Sequence, residues 1–372
     1  MKILITTEQY YPIKSGVSSV VTAIAEELYS NGHEIYVATG FENRDKLIHN
    51  GVQILEFKVY GGFGNYYRGE IDRYKDFILN FDCDILINEC VQTWSTDLLL
   101  KYLPLIKAQK FLHSHGFSLL SYKTKNPLAY VKSKFYYYFL HKFLKNYDHI
   151  FLLHNKTVET QYLNKYKINT FSYLPNGVNS EFLVDASKIE SKDKYLINIS
   201  NYYPMKNQEF LMEAFYKSKT NYKLILIGSA VLKNYLEKLK ELKIEFDLKY
   251  GVKNVEFLLN ISRDETIDYL KSATLFLHSS ELEVFPMVIV ESMAKRVPYV
   301  STDVGNVSTL PGGYVVQSVD DMATKIDYLL SNTVEYEKKS LEGFFIVENK
   351  LNWSNITCDL ERYFKSKKKW KE

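Results

Sequence analysis

Short apolar runs alternate with longer amphipathic stretches along the whole chain. In the first half the runs are KILITT, EIYVAT, VQILEF, DILIN, KFLHS and HIFLLH. Most are followed by helix-compatible sequence. Near-continuous apolar strands alternating with helices indicate a parallel sheet covered on both faces. The rhythm restarts after residue 190 with YLINIS, KLILIG, VEFLL, TLFLHS and YVSTDV. Two successive series predict two doubly wound α/β domains, with a single barrel as the rival architecture.

The first series ends just before Pro175-Asn176-Gly177-Val178-Asn179, and Asn-Gly is a strong turn signal. The predicted organisation is therefore a domain over 1–175, a second over 176–352, and a terminal helix over 353–372 that packs back on the first domain. Polar sequence, DASKIESKDK, follows the boundary. Ser354 is the expected N-cap of the terminal helix. Ligands of open parallel sheets bind beyond the carboxyl ends of the strands, so two facing sheets leave a central cleft, and the chemistry belongs in loops after strands.

Composition changes this picture little. Of 372 residues, 46% are hydrophobic and 24% charged, which excludes a disordered or collagenous chain. No apolar stretch is long enough to span a bilayer, and Glu8 interrupts the N-terminal run too early for a signal peptide. Cys83, Cys90 and Cys358 lack metal-ligand spacing and read as free thiols of a reducing, cytoplasmic compartment.

The strongest local signal is Glu281-Leu-Glu283-Val-Phe-Pro-Met-Val-Ile-Val-Glu291, which leaves a strand and enters a helix. A carboxylate accepts two hydrogen bonds, which suits the paired hydroxyls of a sugar or ribose. The helix N-terminus between the glutamates offers N–H groups to phosphate. The plain alternative is a pair of solvated glutamates that favour a helix N-terminus.

This segment resembles the Glu-x7-Glu signature of family 4 glycosyltransferases, retaining enzymes of the two-domain GT-B fold. Other pieces fall in the family's order: Tyr11-Pro12 with Ser15-Gly16, Gly32-His33-Glu34, His115-Gly116, Pro175-Asn176-Gly177-Val178-Asn179, Ser200-Asn201 through Lys206, Ser301-Thr-Asp303-Val-Gly305, and Trp353. The resemblance implies an α/β GT-B architecture of two Rossmann-like domains facing a central cleft. It implies that Glu291 holds the nucleotide ribose, Glu283 touches the donor sugar, and Lys206 neutralises the diphosphate. His115, preferred over His113 because a glycine follows it, would face the reacting centre. Gly16 would let the first loop approach the donor phosphates, and Asn201, Phe285, Met287 and Val288 complete the donor-binding set. The donor is UDP- or GDP-linked, with no cofactor and no metal. The acceptor is a glycan or polyprenyl-linked sugar of surface polysaccharide synthesis.

Several positions depart from the family. Asn201 replaces an arginine, Ser15 a glycine, and Val284 and Pro286 two more glycines; Leu259 also stands where glycine is common. These departures motivate a rival reading, a nucleotide-sugar-binding protein with impaired catalysis. A nucleotide-sugar epimerase or hydrolase of the same fold is the other rival. Two motifs are decoys: Asp82-Cys83-Asp84 precedes its strand rather than following one, and Gly61-Gly62-Phe-Gly64 lacks the lysine and serine of a phosphate loop.

Charge is unevenly spread. Between Asp97 and Asp148 there are nine lysines and no acidic residue. Residues 126–147, NPLAYVKSKFYYYFLHKFLKNY, place Leu128, Val131, Phe135, Tyr138, Phe139 and Phe143 at helical spacing with lysines between. Such a helix suits an anionic membrane surface. The alternative is an ordinary helix on the first sheet with its lysines in water. No nucleic-acid recognition motif accompanies the charge.

Overall fold

The computed structural model describes all residues except 14, 63–65, 118–126, 184–193, 230, 233 and 369–372. Gly64, Lys123, Lys125, most of the polar stretch after the boundary and the last four residues therefore lie outside the described residues, as does the side chain of Leu128. The chain forms two compact units, residues 1–176 with 353–372, and residues 177–352.

The first unit is built on β1 Lys2–Thr6, β2 Glu34–Gly40, β3 Ile48–His49, β4 Val52–Phe57, β5 Val59–Tyr60, β6 Arg68–Gly69, β7 Ile85–Glu89, β8 Gln109–Ser114, β9 His149–Leu152 and β10 Phe171–Tyr173. Eight of these make one sheet, in the order β10-β9-β8-β7-β1-β2-β4-β3, parallel throughout except for β3. β5 and β6 form a separate antiparallel pair. The inner strands are apolar on both faces because helices cover both: Ile3, Leu4 and Ile5 are wholly buried.

Helix Gly16–Ser30 follows β1 and buries Val20, Val21, Ile24, Ala25 and Leu28, one stripe at helical spacing. Its N-cap is Ser15, whose Oγ accepts from Ser18 N at 3.2 Å. The serine that departs from the family pattern thus satisfies a free helix-end donor, which glycine could not do.

The terminal helix, Trp353–Lys368, belongs to this unit. Phe364 meets Phe111 of β8 edge-to-face at 5.0 Å, and Glu361 accepts from Asn31 at 2.8 Å. The helix begins at Trp353, so Ser354 lies inside its first turn and is not the N-cap. Asn352, just before it, donates to Glu348 O at 2.6 Å, tying back to the preceding helix.

The second unit has β11 Tyr195–Ile199, β12 Lys223–Gly228, β13 Val255–Leu259, β14 Leu275–His278, β15 Tyr299–Thr302 and β16 Gly313–Val316. All six are parallel, in the order β13-β12-β11-β14-β15-β16. This is the 3-2-1-4-5-6 order of a doubly wound nucleotide-binding sheet, and its direction reverses between β11 and β14. The crevice beyond that pair of strand ends is where such a sheet holds a ligand.

Both decoy motifs sit away from such positions. Asp84 accepts from Lys2 N at 2.9 Å, at the amino ends of β1 and β7. Gly61 has φ +109 beside the β5–β6 pair, where an added Cβ would lie 2.6 Å from Tyr66 O, so its conformation serves that turn. Cys83, Cys90 and Cys358 are unbonded thiols. Among the described residues no helix is long and apolar enough to cross a membrane.

Helix Pro127–Leu144 matches the predicted segment, but its core-facing side differs from the predicted apolar set. Tyr137, Leu140 and Leu144 are buried, whereas Val131, Phe135, Tyr138 and Phe139 are exposed.

Phe364→Ala should destabilise the protein by about 3–5 kcal/mol, because a fully buried ring on β8 would leave a cavity. Denaturant unfolding followed by circular dichroism checks this. A loss below about 1 kcal/mol would mean the terminal helix adds nothing to the first unit's core.

Candidate active site

In the second unit the two loops at the switch point are zipped together. The loop after β11 ends in the short turn Pro204–Lys206, and the loop after β14 runs through Ser279 to Pro286. Ser279 Oγ donates to Lys206 O at 2.8 Å, and Glu281 N donates to Met205 O at 2.9 Å. This link between the loops brings Lys206 and Glu283, 77 residues apart, into an ion pair. Ser280 Oγ donates to the same Glu283 oxygen at 3.0 Å, and His278 Nε2 stands 3.8 Å from it.

Burial alone would raise the Glu283 pKa. The His278 ring and the Lys206 ammonium outweigh that effect and hold it down to about 2. The His278 pKa is lowered as well, because its own burial disfavours the imidazolium.

A third loop braces this pair from the far side. Gly305, after β15, has φ +55, and a Cβ there would lie 2.3 Å from Val284 O and 3.1 Å from Glu283 O. Only glycine allows the loop to press so closely on the glutamate's backbone. Thr302 Oγ1 adds a bond to Ser280 O at 2.7 Å.

The remaining donor-site candidates lie along the same edge. Asn201 accepts from Ser229 N at 3.3 Å and Ser229 Oγ at 3.0 Å, joining the loops after β11 and β12. The residue that replaces the family's arginine therefore acts as a brace. Phe285 is buried, and Met287 and Val288 open helix Met287–Ala294, whose N-cap position is Pro286. Glu291 is buried one turn in and is met by Arg263, from the helix after β13, at 2.7 Å. Burial raises the Glu291 pKa against the opposing pull of Arg263. Arg263 also lies 3.5 Å from Glu181 and 4.7 Å above the Phe182 ring.

In the first unit, His115 follows β8. Its Nε2 lies 2.6 Å from Glu89 Oε2, and His113 Nδ1 lies 3.0 Å from the same oxygen. Glu89 closes β7 directly opposite His113 in the parallel register. Burial would raise the Glu89 pKa, but His113 and then His115 lower it to about 2. Burial lowers that of His115. Gly116, at φ +113, turns the chain away immediately after the histidine.

Glu89, His113 and His115 carry possible ligand atoms within 4.8 Å of one another. Two ligands on a tetrahedral zinc at 2.0–2.1 Å would stand about 3.3 Å apart. The 2.6 Å between His115 Nε2 and Glu89 Oε2 is a hydrogen-bond distance, shorter than two zinc ligands would stand, whereas His113 Nδ1, 3.0 Å from the same oxygen, makes an electrostatic contact without a hydrogen bond. Gly16, the other candidate of this unit, starts its helix with nothing within 4 Å of an added Cβ.

The sequence reading missed Glu89, Arg263, His278 and Ser280. Three of these sit at or just after the carboxyl end of a strand, so the rule that located the loops also marks their neighbourhood. Arg263 alone lay beyond it, one turn-length past β13.

Residues 179–342 match the model of a family described as glycosyl transferases, group 1. The matched residues make up most of the second unit. Lys206, Glu283 and Glu291 all lie within the matched residues. The human GDP-Man:Man(3)GlcNAc(2)-PP-Dol alpha-1,2-mannosyltransferase is 27% identical over 270 residues, covering 65% of this chain and 52% of the human protein. The chain thus spans about half the length of that relative. The alpha-monoglucosyldiacylglycerol synthase of Acholeplasma laidlawii is 24% identical over 326 residues, 81% of this chain and 80% of that protein. Sucrose-phosphate synthase from Thermosynechococcus elongatus superposes with a TM-score of 0.78 at 16% identity, with 98% of each chain covered. The fold is GT-B, with two Rossmann-like units, and the family match falls in the second.

Glu89→Gln should cost roughly 3 kcal/mol at pH 7, the equivalent of moving a carboxyl from 4.5 to about 2. The sign follows from the lowered pKa: the contribution is present above the unfolded value and is lost as pH falls through about 2. Denaturant unfolding from pH 7 to pH 3 should therefore show the gap to wild type narrowing below about pH 4.5. A gap that stays constant with pH would show that the Glu89 charge is not used.

Proposed function

We propose that the chain is a retaining, metal-independent glycosyltransferase that moves a sugar from a UDP- or GDP-linked donor to a glycan or lipid-linked acceptor of surface polysaccharide synthesis, at the cytoplasmic side. The observation that carries this reading is the Lys206–Glu283 pair at the switch point of a 3-2-1-4-5-6 sheet, inside the region that matches the group 1 family.

The leaving nucleoside diphosphate gains negative charge in the transition state. Lys206, held in place through its own backbone carbonyl, supplies the positive charge there. The first N–H groups of helix Met287–Ala294 add a dipole of the same sign. Together they perform the neutralisation that other transferases assign to a divalent ion. Glu283, kept ionised, accepts from donor-sugar hydroxyls. Glu291 has one oxygen on Arg263 and accepts the ribose hydroxyls with the other.

His115 stands on the first unit with its ring steered by Glu89. The acceptor hydroxyl attacks the anomeric carbon from the face the nucleotide leaves, and a phosphate oxygen of the leaving group takes its proton. The likeness to relatives named for GDP-mannose and for a monoglucosyldiacylglycerol supports the donor and acceptor classes. A second reading, donor binding without transfer, is favoured by one observation: Asn201 spends its side-chain oxygen on Ser229 instead of offering a cation to phosphate.

A thermal-shift screen against UDP-, GDP- and ADP-sugars tests the donor. A nucleotide sugar at a hundred times its Kd stabilises by about 2.7 kcal/mol, which raises Tm by several degrees. Glu291→Gln should weaken that donor tenfold or more, and His115→Ala should lower kcat with little change in donor affinity. NMR of the product should show the donor's anomeric configuration. No shift with any nucleotide sugar at millimolar concentration would contradict the function. A shift without transfer to any acceptor extract would establish the second reading.

A further inference from the structure

Helix Pro127–Leu144 is apolar on two opposite sides. At 3.6 residues per turn, Ser133, Tyr137, Leu140 and Leu144 share one side, and all four are buried. Val131, Phe135, Tyr138 and Lys142 share the opposite side. There Phe135 is 65% exposed and Tyr138 59% exposed, with Phe139 beside them. The core uses the first face and leaves the second in water. Contiguous aromatic exposure of this kind marks an interaction surface.

A groove of about 430 Å³ opens alongside this outward stripe, between the helix and the end of helix Val158–Lys165. Phe135, Tyr138, Phe139 and Tyr166 form its walls, with Lys134 and Lys165 also lining it. His141 stacks flat on Tyr166 at 4.0 Å, which fixes one wall. The size falls within the range of small-molecule pockets.

The charge around the groove has one sign. No acidic residue occurs between Asp97 and Asp148. On the facing helix Glu159 is buried and accepts from Phe117 N at 2.9 Å. The long lysine stems can lie along the rings with their ammonium groups outward, as Lys134 does over Tyr130 at 5.2 Å and Lys142 over Phe139 at 5.2 Å. Pairing two copies through this face would set lysines against lysines.

We propose that the outward face of helix Pro127–Leu144 docks on an anionic lipid bilayer, with Phe135 and Tyr138 below the headgroups and the groove taking an acyl chain of an anionic phospholipid whose phosphate meets Lys134 and Lys165. Aromatic rings and lysines at one level are the composition of a membrane-interface anchor. The docking is independent of the donor site of the second unit.

The test uses the full chain and vesicles of phosphatidylcholine alone or with phosphatidylglycerol. The chain should sediment with the anionic vesicles and remain in solution with the neutral ones. Lys134→Glu together with Lys165→Glu should lower partitioning more than tenfold, since each lysine at an anionic surface contributes about fivefold. Phe135→Trp should add a tryptophan emission, read against wild type, that is quenched by lipids brominated along the acyl chain. Phe135→Ser should weaken binding severalfold without lowering Tm, because the ring is exposed. Three results would each overturn the proposal: no partitioning onto anionic vesicles; partitioning with no quenching by chain bromines, which would mean surface attraction alone; or a dimer in light scattering that Phe135→Ser dissolves while vesicles remain unbound.

Discussion

A carboxylate taken out of water at the end of a parallel strand stays charged only when a cation or a hydrogen-bond donor meets it. That constraint organises both halves of this protein. Glu89 closes β7 and is met by two imidazoles from β8 and its following loop. Glu283 follows β14 and is met by Lys206 from the loop after β11. Glu291 sits in the helix that follows and is met by Arg263 from the helix after β13. For Glu89 and Glu283 the partner comes from the neighbouring strand or its connection, so sheet order decides which charges meet; Arg263 instead comes from the helix that connects β13 to β14. In the function proposed above, the same pairs meet the nucleotide sugar, Lys206 at the phosphate and the two glutamates of the second unit at hydroxyls.

Two of the positions that depart from the pattern the sequence resembles have structural roles of their own. Ser15 replaces glycine and gains a helix cap. Asn201 replaces arginine and ties two loops together. Neither change touches the Lys206–Glu283 pair, whose position is set by the Ser279 hydroxyl and the Glu281 N–H, both bonded to main-chain carbonyls, and by the close approach of Gly305.

Much of the fold was legible because strands buried on both faces read as unbroken apolar runs, as in KILIT and YLINI. β3, β5 and β6, two residues each, carry too few side chains to show a period, and β10 and β16 are barely longer. The core-facing side of helix Pro127–Leu144 was not legible for a different reason. In FYYYFL aromatic residues follow one another, so periodicity alone could not choose between Phe135 with Tyr138 and Tyr137 with Leu140; the sheet beneath made that choice. Within the site, the glutamates and Lys206 were visible in their motifs. Their partners were not, because Arg263 lies 28 residues from Glu291 and Glu89 lies 26 from His115. Contacts at that separation are set by strand pairing, which no local pattern records.

The central claim is that Lys206, placed by the switch-point loops, receives the donor's diphosphate. Phosphorus NMR of UDP and GDP titrated with the protein reads this contact directly. The account predicts that one of the two nucleotides shows shifted and broadened resonances for both phosphates with wild type, and that Lys206→Met largely abolishes the change while the protein remains folded. Equal shifts with wild type and Lys206→Met would contradict it.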